Sequence, residues 1–150
     1  MKNKIEWKVT RFEQFTINEL YEILYLRNKV FVVEQNSPYL DLDYKDQKAL
    51  HVHGYLDGKL VAYCRIFRKG DYFEEASIGR VIIAEEYRRY HLGDELMKKA
   101  IELAESVLNE TKVLISAQAH LQGFYGKHGF RTVSSSYLED GIPHVRMRKD

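Results

Sequence analysis

Cysteine is almost missing from this 150-residue chain: Cys64 stands alone. No internal disulfide can form, and no Cys/His set has the spacing of a structural zinc site. So little cysteine suits a reducing compartment, and a cytoplasmic location is expected. Proline occurs twice and aromatic residues make up 13%, a balance that excludes a Pro-rich disordered chain. There is no surplus of one charge either, since 23 Lys+Arg face 22 Asp+Glu for a net +1. A nucleic-acid partner held by bulk electrostatics is therefore not expected. Apolar runs long enough to span a bilayer are absent. In Met1–Lys8 charges separate the apolar residues, so no signal-peptide core is expected, and no membrane partner.

What is present fits one domain over residues 1–150, with 45% hydrophobic residues to build a core. Residues 5–12 alternate as a strand. Thr16-Ile17-Asn18-Glu19 is a capping box ahead of a helix over Ile17–Val30. Pro38 and the acidic set Asp41, Asp43 and Asp46 mark a loop. Asp57-Gly58 joins two strands, His51–Leu56 and Leu60–Phe67, as a tight hairpin. Ile78–Ala84 reads as a strand and Val113–Ala117 as another. Between them lies a helix with Leu92, Leu96, Ala100, Leu103, Ala104 and Val107 on one face. A third helix spans His120–Lys127 and stops at Gly129. Phe130–Val133 and His144–Met147 close the chain as strands. This order implies an α+β (α/β mixed) fold with helices packed on a mixed sheet. Trp7 and Cys64 read as core residues, Lys98-Lys99 as a solvated helix face. The six histidines have no ligand spacing, so no metal is expected.

Chemistry concentrates in Val81–Met97, a strand, a short turn and a helix. The turn Arg88-Arg89-Tyr90-His91-Leu92-Gly93 opens the helix, where backbone N–H groups lack intrahelical partners and the dipole favours an anion such as a pyrophosphate. Two adjacent arginines add fixed positive charge. The same stretch also reads as a plain connection with solvated arginines.

The turn resembles the acyl-CoA-binding motif of the GNAT superfamily of N-acetyltransferases, Gln/Arg-x-x-Gly-x-Gly/Ala. Arg88 matches its first position and Gly93 its last, while His91 replaces the middle glycine. Gln118–Phe130 resembles the late family motif Asn-x-x-Ala-x-x-Φ-Tyr-x-x-x-Gly-Phe, with Tyr125, Gly129 and Phe130 matching and Gln118 in place of Asn. Arg27–Gln35, Ile78–Val81, Ser116–Gln122 and Tyr137–His144 are similar to signature segments of the ElaA-like branch. The resemblance implies a GNAT-type mixed, mostly antiparallel central sheet with helices on both faces. It further implies acetyl-CoA as co-substrate. Val81, Ile82 and Ile83 would then serve the pantetheine arm, one N–H there polarising the thioester carbonyl. Arg88, Arg89, Tyr90, His91, Leu92, Gly93 and Asp94 would hold the pyrophosphate, and Gln118 and Tyr125 would complete the cofactor site.

Acetyl transfer to an amine needs a proton acceptor, an oxyanion donor and a proton for the thiolate. The resemblance assigns the last to Tyr125, whose phenol stays protonated to about pH 10. Packing at a helix–sheet junction is its alternative. For the base, Glu34, His51, His120 and His144 are candidates. Glu34 and His120 rank first because they fall in signature segments, and a chain of waters could replace a dedicated base. The acceptor is expected to be the amine of a small molecule or peptide. It would sit between the early helix with its loop and Leu138–His144, where Asp41, Asp43, Asp46, Glu139 and Asp140 would form an acidic rim. A homodimer is left open. The competing functions are a non-catalytic acyl-CoA-binding sensor and an acyl-transferring signal synthase on the same fold.

Overall fold

The early alternation becomes β1 (Glu6–Arg11) in a computed structural model that describes residues 4–150. Met1, Lys2 and Asn3, part of the charged N-terminal stretch, lie outside the described residues. The Thr16 hydroxyl accepts from the Glu19 N–H and the Glu19 carboxylate accepts from the Thr16 N–H, so the capping box starts α1 (Ile17–Arg27). The expected helix to Val30 ends three residues early. It continues as a wider π-helical stretch over Asn28–Glu34, with the Gln35 N–H reaching back to the Val30 carbonyl. Such widened turns add a residue and re-aim side chains, often at functional sites.

After a loop come β2 (Leu50–Leu56), β3 (Lys59–Phe67) and β4 (Ser77–Ile83). Asp57 and Gly58 both take positive φ, 51° and 80°, as the two-residue hairpin requires. Strands β1-β2-β3-β4 pair antiparallel in that order. The helix α2 (Leu92–Ser106) leads to β5 (Val113–Gln118). A 3-10 turn, Ala119–Leu121, precedes α3 (Gln122–Gly126), which is shorter than the expected His120–Lys127. Then follow β6 (Arg131–Thr132), β7 (Tyr137–Glu139) and β8 (Ile142–Lys149). The Phe130–Val133 strand shrinks, the His144–Met147 strand lengthens, and β7 is an addition to the sequence expectation. In the second half-sheet β8 pairs antiparallel with β5, β6 and β7.

The two halves meet at one parallel bridge, Ala76↔Val113, where the Leu114 N–H donates to the Ala76 carbonyl at 2.8 Å. Beyond it β4 and β5 belong to different sheets and part company. Helices cover both faces. Leu92, Leu96, Met97, Ala100 and Ala104 of α2 pack on Val52, Cys64 and Ile66, while Ile23 and Leu26 of α1 pack on Tyr63 and Ile82. Cys64 is fully buried, and burial pushes its thiol well above the usual range. Trp7 is partly buried against the α2-side core, its indole N–H donating to Glu95. A side chain at Gly54 would collide with this ring at 2.7 Å, which explains the glycine in a central strand.

Candidate active site

The opening between β4 and β5 holds two cavities that meet. A cleft of about 480 Å³ is lined by Val81, Ile82, Ile83, Arg88, His91, Gly93, Asp94, Gln118, His120 and Tyr125, among others. Next to it, a cavity of about 110 Å³ is lined by Arg80, Ser116, Glu139, Asp140 and His144 with their neighbours. Phe31, Gln35, Val81, Gln118, Leu121 and Tyr125 line both. Phe31 and Gln35 come from the π-helical stretch and its end, so the early change of helix form supplies one wall.

The first cleft begins at the start of α2. His91 takes the left-handed conformation, φ 57° and ψ 24°, which turns the chain sharply into the helix. Its side chain does not cap the helix. The ring is 89% exposed, with Nδ1 3.8 Å from Asp94. The first-turn N–H groups are thus left for an incoming acceptor. Gly93 is needed for space, because a Cβ there would meet the Phe124 ring at 3.2 Å. Lys127 and His128 both face Asp94, at 3.3 and 2.8 Å, and the Lys127 ammonium offsets its charge at the helix start. Arg89, Tyr90 and Leu92 do not line the cleft. They lie on the outer side of the turn, Leu92 buried in the α2-side core. Arg88 lines the cleft, clasped by Glu34 in a bidentate pair of 2.7 and 3.1 Å while its Nε–H donates to the Ile83 carbonyl. A long anionic ligand fits this arrangement, with open N–H groups at one end and apolar strand and helix residues along it.

Tyr125 sits where the cavities join, 8% exposed. Burial pushes its phenol well above the ordinary value, so it holds its proton. Among the described residues nothing hydrogen-bonds its hydroxyl, which leaves that group available to a ligand. Glu34 and His120 line the first cleft but not the second cavity. His51 lies at neither. It is 1% exposed and bonded to the Tyr63 hydroxyl and the Asp46 carbonyl, a structural role.

The strand β4 carries a bulge at this point. Tyr63 pairs with Ile82 and Arg65 with Gly79, so Arg80 and Val81 together face Cys64. Arg80 takes φ 50°, a strained setting for a long side chain. Its guanidinium is anchored: Nε lies 2.8 Å from the Asp41 carboxylate and Nη2 donates to the Asp41 carbonyl. Asp41 also binds Arg27, and Asp46 binds both Arg27 and Arg65, at 2.7 and 2.8 Å. Asp43 pairs with Arg65. The expected acidic rim of Asp41, Asp43 and Asp46 is therefore an internal network neutralised by three arginines. Sequence reasoning missed those partners, because Arg27 and Arg65 stand in amphipathic elements where a charge normally points outward. Of the expected rim, only Glu139 and Asp140 face the second cavity.

A splayed sheet with a helix N-terminus at its mouth matches a known family. The family model described as Acetyltransferase (GNAT) domain matches residues 20–150. The chain belongs to the GNAT acetyltransferase family. It is 42% identical to protein ElaA of Escherichia coli over 97% of each chain. Its structure superposes on crystal structures of E. coli ElaA (TM-score 0.91, 41% identity) and of an acyl-CoA N-acyltransferase from Pseudomonas aeruginosa (TM-score 0.92, 40% identity). Each comparison covers 98% of this chain and all of the other. The GNAT fold is that of acyl-CoA N-acyltransferases, and the mixed, mostly antiparallel sheet with helices on both faces agrees with it.

Proposed function

We propose that this GNAT protein is an acetyl-CoA-dependent N-acetyltransferase that moves an acetyl group to an amine of a small molecule or peptide by direct attack in a ternary complex. One observation carries the reading: two cavities along β4 and β5 have otherwise distinct linings and share Tyr125. A sensor would need only the first cavity. The bound co-substrate supplies an activated acyl group on sulfur. The N–H groups of Gly93 and Asp94 would receive its pyrophosphate, with Arg88 nearby, and Val81–Ile83 would lie along its arm. The bulge at Arg80 frees backbone at Val81 from regular pairing with β3, which makes it the candidate to polarise the acyl carbonyl. Tyr125 gives its proton to the departing sulfur. Glu34 acts here by holding Arg88, and His120 stands at the cleft wall. We place the protein in the cytoplasm, in keeping with its single, buried, unpaired cysteine.

The test is Tyr125→Phe. Losing one proton donor should lower kcat about 10- to 1000-fold in thiol-release assays and leave acetyl-CoA affinity unchanged. An unchanged kcat where chemistry limits the rate would return Tyr125 to a packing role. Failure of acetyl-CoA to bind would end the reading.

A further inference from the structure

The base that acetyl transfer requires is not supplied by the groups on the first cleft. Glu34 is held in its pair with Arg88, and His120 faces the co-substrate side. The amine must arrive through the second cavity, whose one imidazole is His144. The β5–β8 register sets His144 directly opposite Gln118, a residue that lines both cavities. Resting on the acetyl-transfer reading, we propose that His144 accepts the proton of the attacking amine and that Glu139 beside it selects a cationic amine as acceptor.

The geometry fixes the protonation pattern. His144 Nδ1 lies 2.7 Å from the Ile142 carbonyl oxygen, which can only accept, so Nδ1 carries the hydrogen. In the neutral ring the lone pair is then on Nε2, and Nε2 lies 3.4 Å from Glu139 Oε2. Glu139 Oε1 accepts from the Ser116 hydroxyl at 2.9 Å, and Ser116 also bonds the Tyr137 hydroxyl. The Tyr137 ring stacks on the imidazole at 6.2 Å. The imidazole is therefore oriented by a carbonyl and an aromatic face, and in the neutral ring its basic nitrogen faces a carboxylate oxygen. An ammonium group supplies the missing donors to both. Once Nε2 is protonated, Glu139 stabilises the imidazolium.

Other charges around the ring are committed elsewhere or stand at the rim. Arg80, from β4, is tied to Asp41 and Asp43. Arg146, from β8 itself, lies over the Phe73 and Tyr137 rings. Asp140 occupies the β7–β8 turn and adds negative potential. Strand β5 contributes the neutral Ser116 and Gln118, and α3 the phenol of Tyr125. In the reaction the amine nitrogen forms its bond to the acyl carbon and the carbon–sulfur bond breaks, its electron pair leaving on sulfur. His144 Nε2 takes a first proton from the ammonium and releases it to solvent, and once the neutral amine has attacked it takes the second. Tyr125 gives its proton to sulfur, and the phenolate recovers one from His144 through the cavity both residues line. Two protons have left the cationic nitrogen, one to solvent and one to sulfur.

The experiment has a spectroscopic and a kinetic arm on the full chain. Imidazole ¹⁵N spectra, assigned with His144→Gln, should show His144 as the Nδ1–H tautomer. Its Nε2 signal should move on titration with n-butylammonium, less in Glu139→Gln. A protonated Nε2 in the neutral ring, or a signal that the amine leaves in place, overturns the proposal. In the kinetic arm, thiol release from acetyl-CoA is followed with n-butylamine and with hydroxylamine, which is largely neutral at pH 7 and whose adduct sheds its proton to water. His144→Gln should cut kcat/KM for n-butylamine about 100-fold or more and spare hydroxylamine. Equal loss with both nucleophiles, or loss with neither, refutes the base assignment alone. No thiol release by wild type with either overturns the acetyl-transfer reading, and the proposal with it.

Discussion

Replacing Asp46 with Asn tests whether the buried arginines hold the site together. Asp46 is 8% exposed at its side chain and accepts from Arg27 Nη1 at 2.7 Å and Arg65 Nη1 at 2.8 Å, both guanidiniums only 1% exposed. With Arg80, Asp41 and Asp43 the set is neutral. Asn keeps the shape and removes one negative charge, leaving three cations to two anions inside the protein. Breaking a buried pair by neutralising one partner costs about 3–5 kcal/mol. The Asn carbonyl still accepts, so the lower end, about 3 kcal/mol, is expected. For a domain of this size that lowers Tm by roughly 6–12 °C, at about 2–4 °C per kcal/mol. Urea unfolding at pH 7 with circular dichroism measures it. A loss below about 1 kcal/mol, the range of an exposed pair, would refute the reasoning. The pH dependence follows the same logic. Burial raises the Asp46 carboxyl, but Arg27 and Arg65 outweigh it and hold it below its usual value. At Asp43 burial also acts upward, yet the Arg65 hydrogen bond and charge bring it down to about 2. Folded values lowered in this way give stability that is present above the unfolded value of about 3.9 and is lost as pH falls through the folded one. Wild-type stability should therefore decline between about pH 4 and pH 2, and more shallowly in Asp46→Asn.

Glu34→Gln removes a negative charge from the co-substrate cleft and frees Arg88. Acetyl-CoA should bind about 2- to 5-fold tighter by isothermal titration, as suits a half-exposed pair, and weaker binding would assign Glu34 a positioning role that outweighs its repulsion. His91→Ala should leave acetyl-CoA affinity unchanged at pH 6 and pH 8, since the ring stands in solvent. A loss that grows at the lower pH would show that the imidazole touches the phosphates. His91→Gly should stabilise the fold by up to about 1 kcal/mol by relieving the left-handed backbone, and a lower Tm would contradict that.

The regular elements were legible because their signals are local. The capping box at Thr16–Glu19, the Asp57-Gly58 hairpin and the apolar stripe of α2 each depend on neighbours in sequence. Arg88, Gly93, Gln118 and Tyr125 could be named from motifs and meet at one cleft for the same reason. What stayed hidden depends on distant partners. The π-helical stretch follows an apolar pattern that an α-helix would share. The strand β7 has three residues and is fixed only by pairing with β8. Asp41, Asp43 and Asp46 look like surface charge until Arg27, Arg65 and Arg80 are set beside them. His144 could be named as a candidate base, but its position opposite Gln118 comes from the β5–β8 register, which no local pattern encodes.

In the proposed reaction the β4–β5 splay holds acetyl-CoA with its sulfur beside Tyr125. A crystal structure of the protein with acetyl-CoA tests it most directly. The pyrophosphate should lie on the N–H groups of Gly93 and Asp94, the arm beside Val81–Ile83 and the sulfur within hydrogen-bond reach of the Tyr125 hydroxyl. Acetyl-CoA ordered elsewhere on the protein, or an arm directed away from Tyr125, would contradict it.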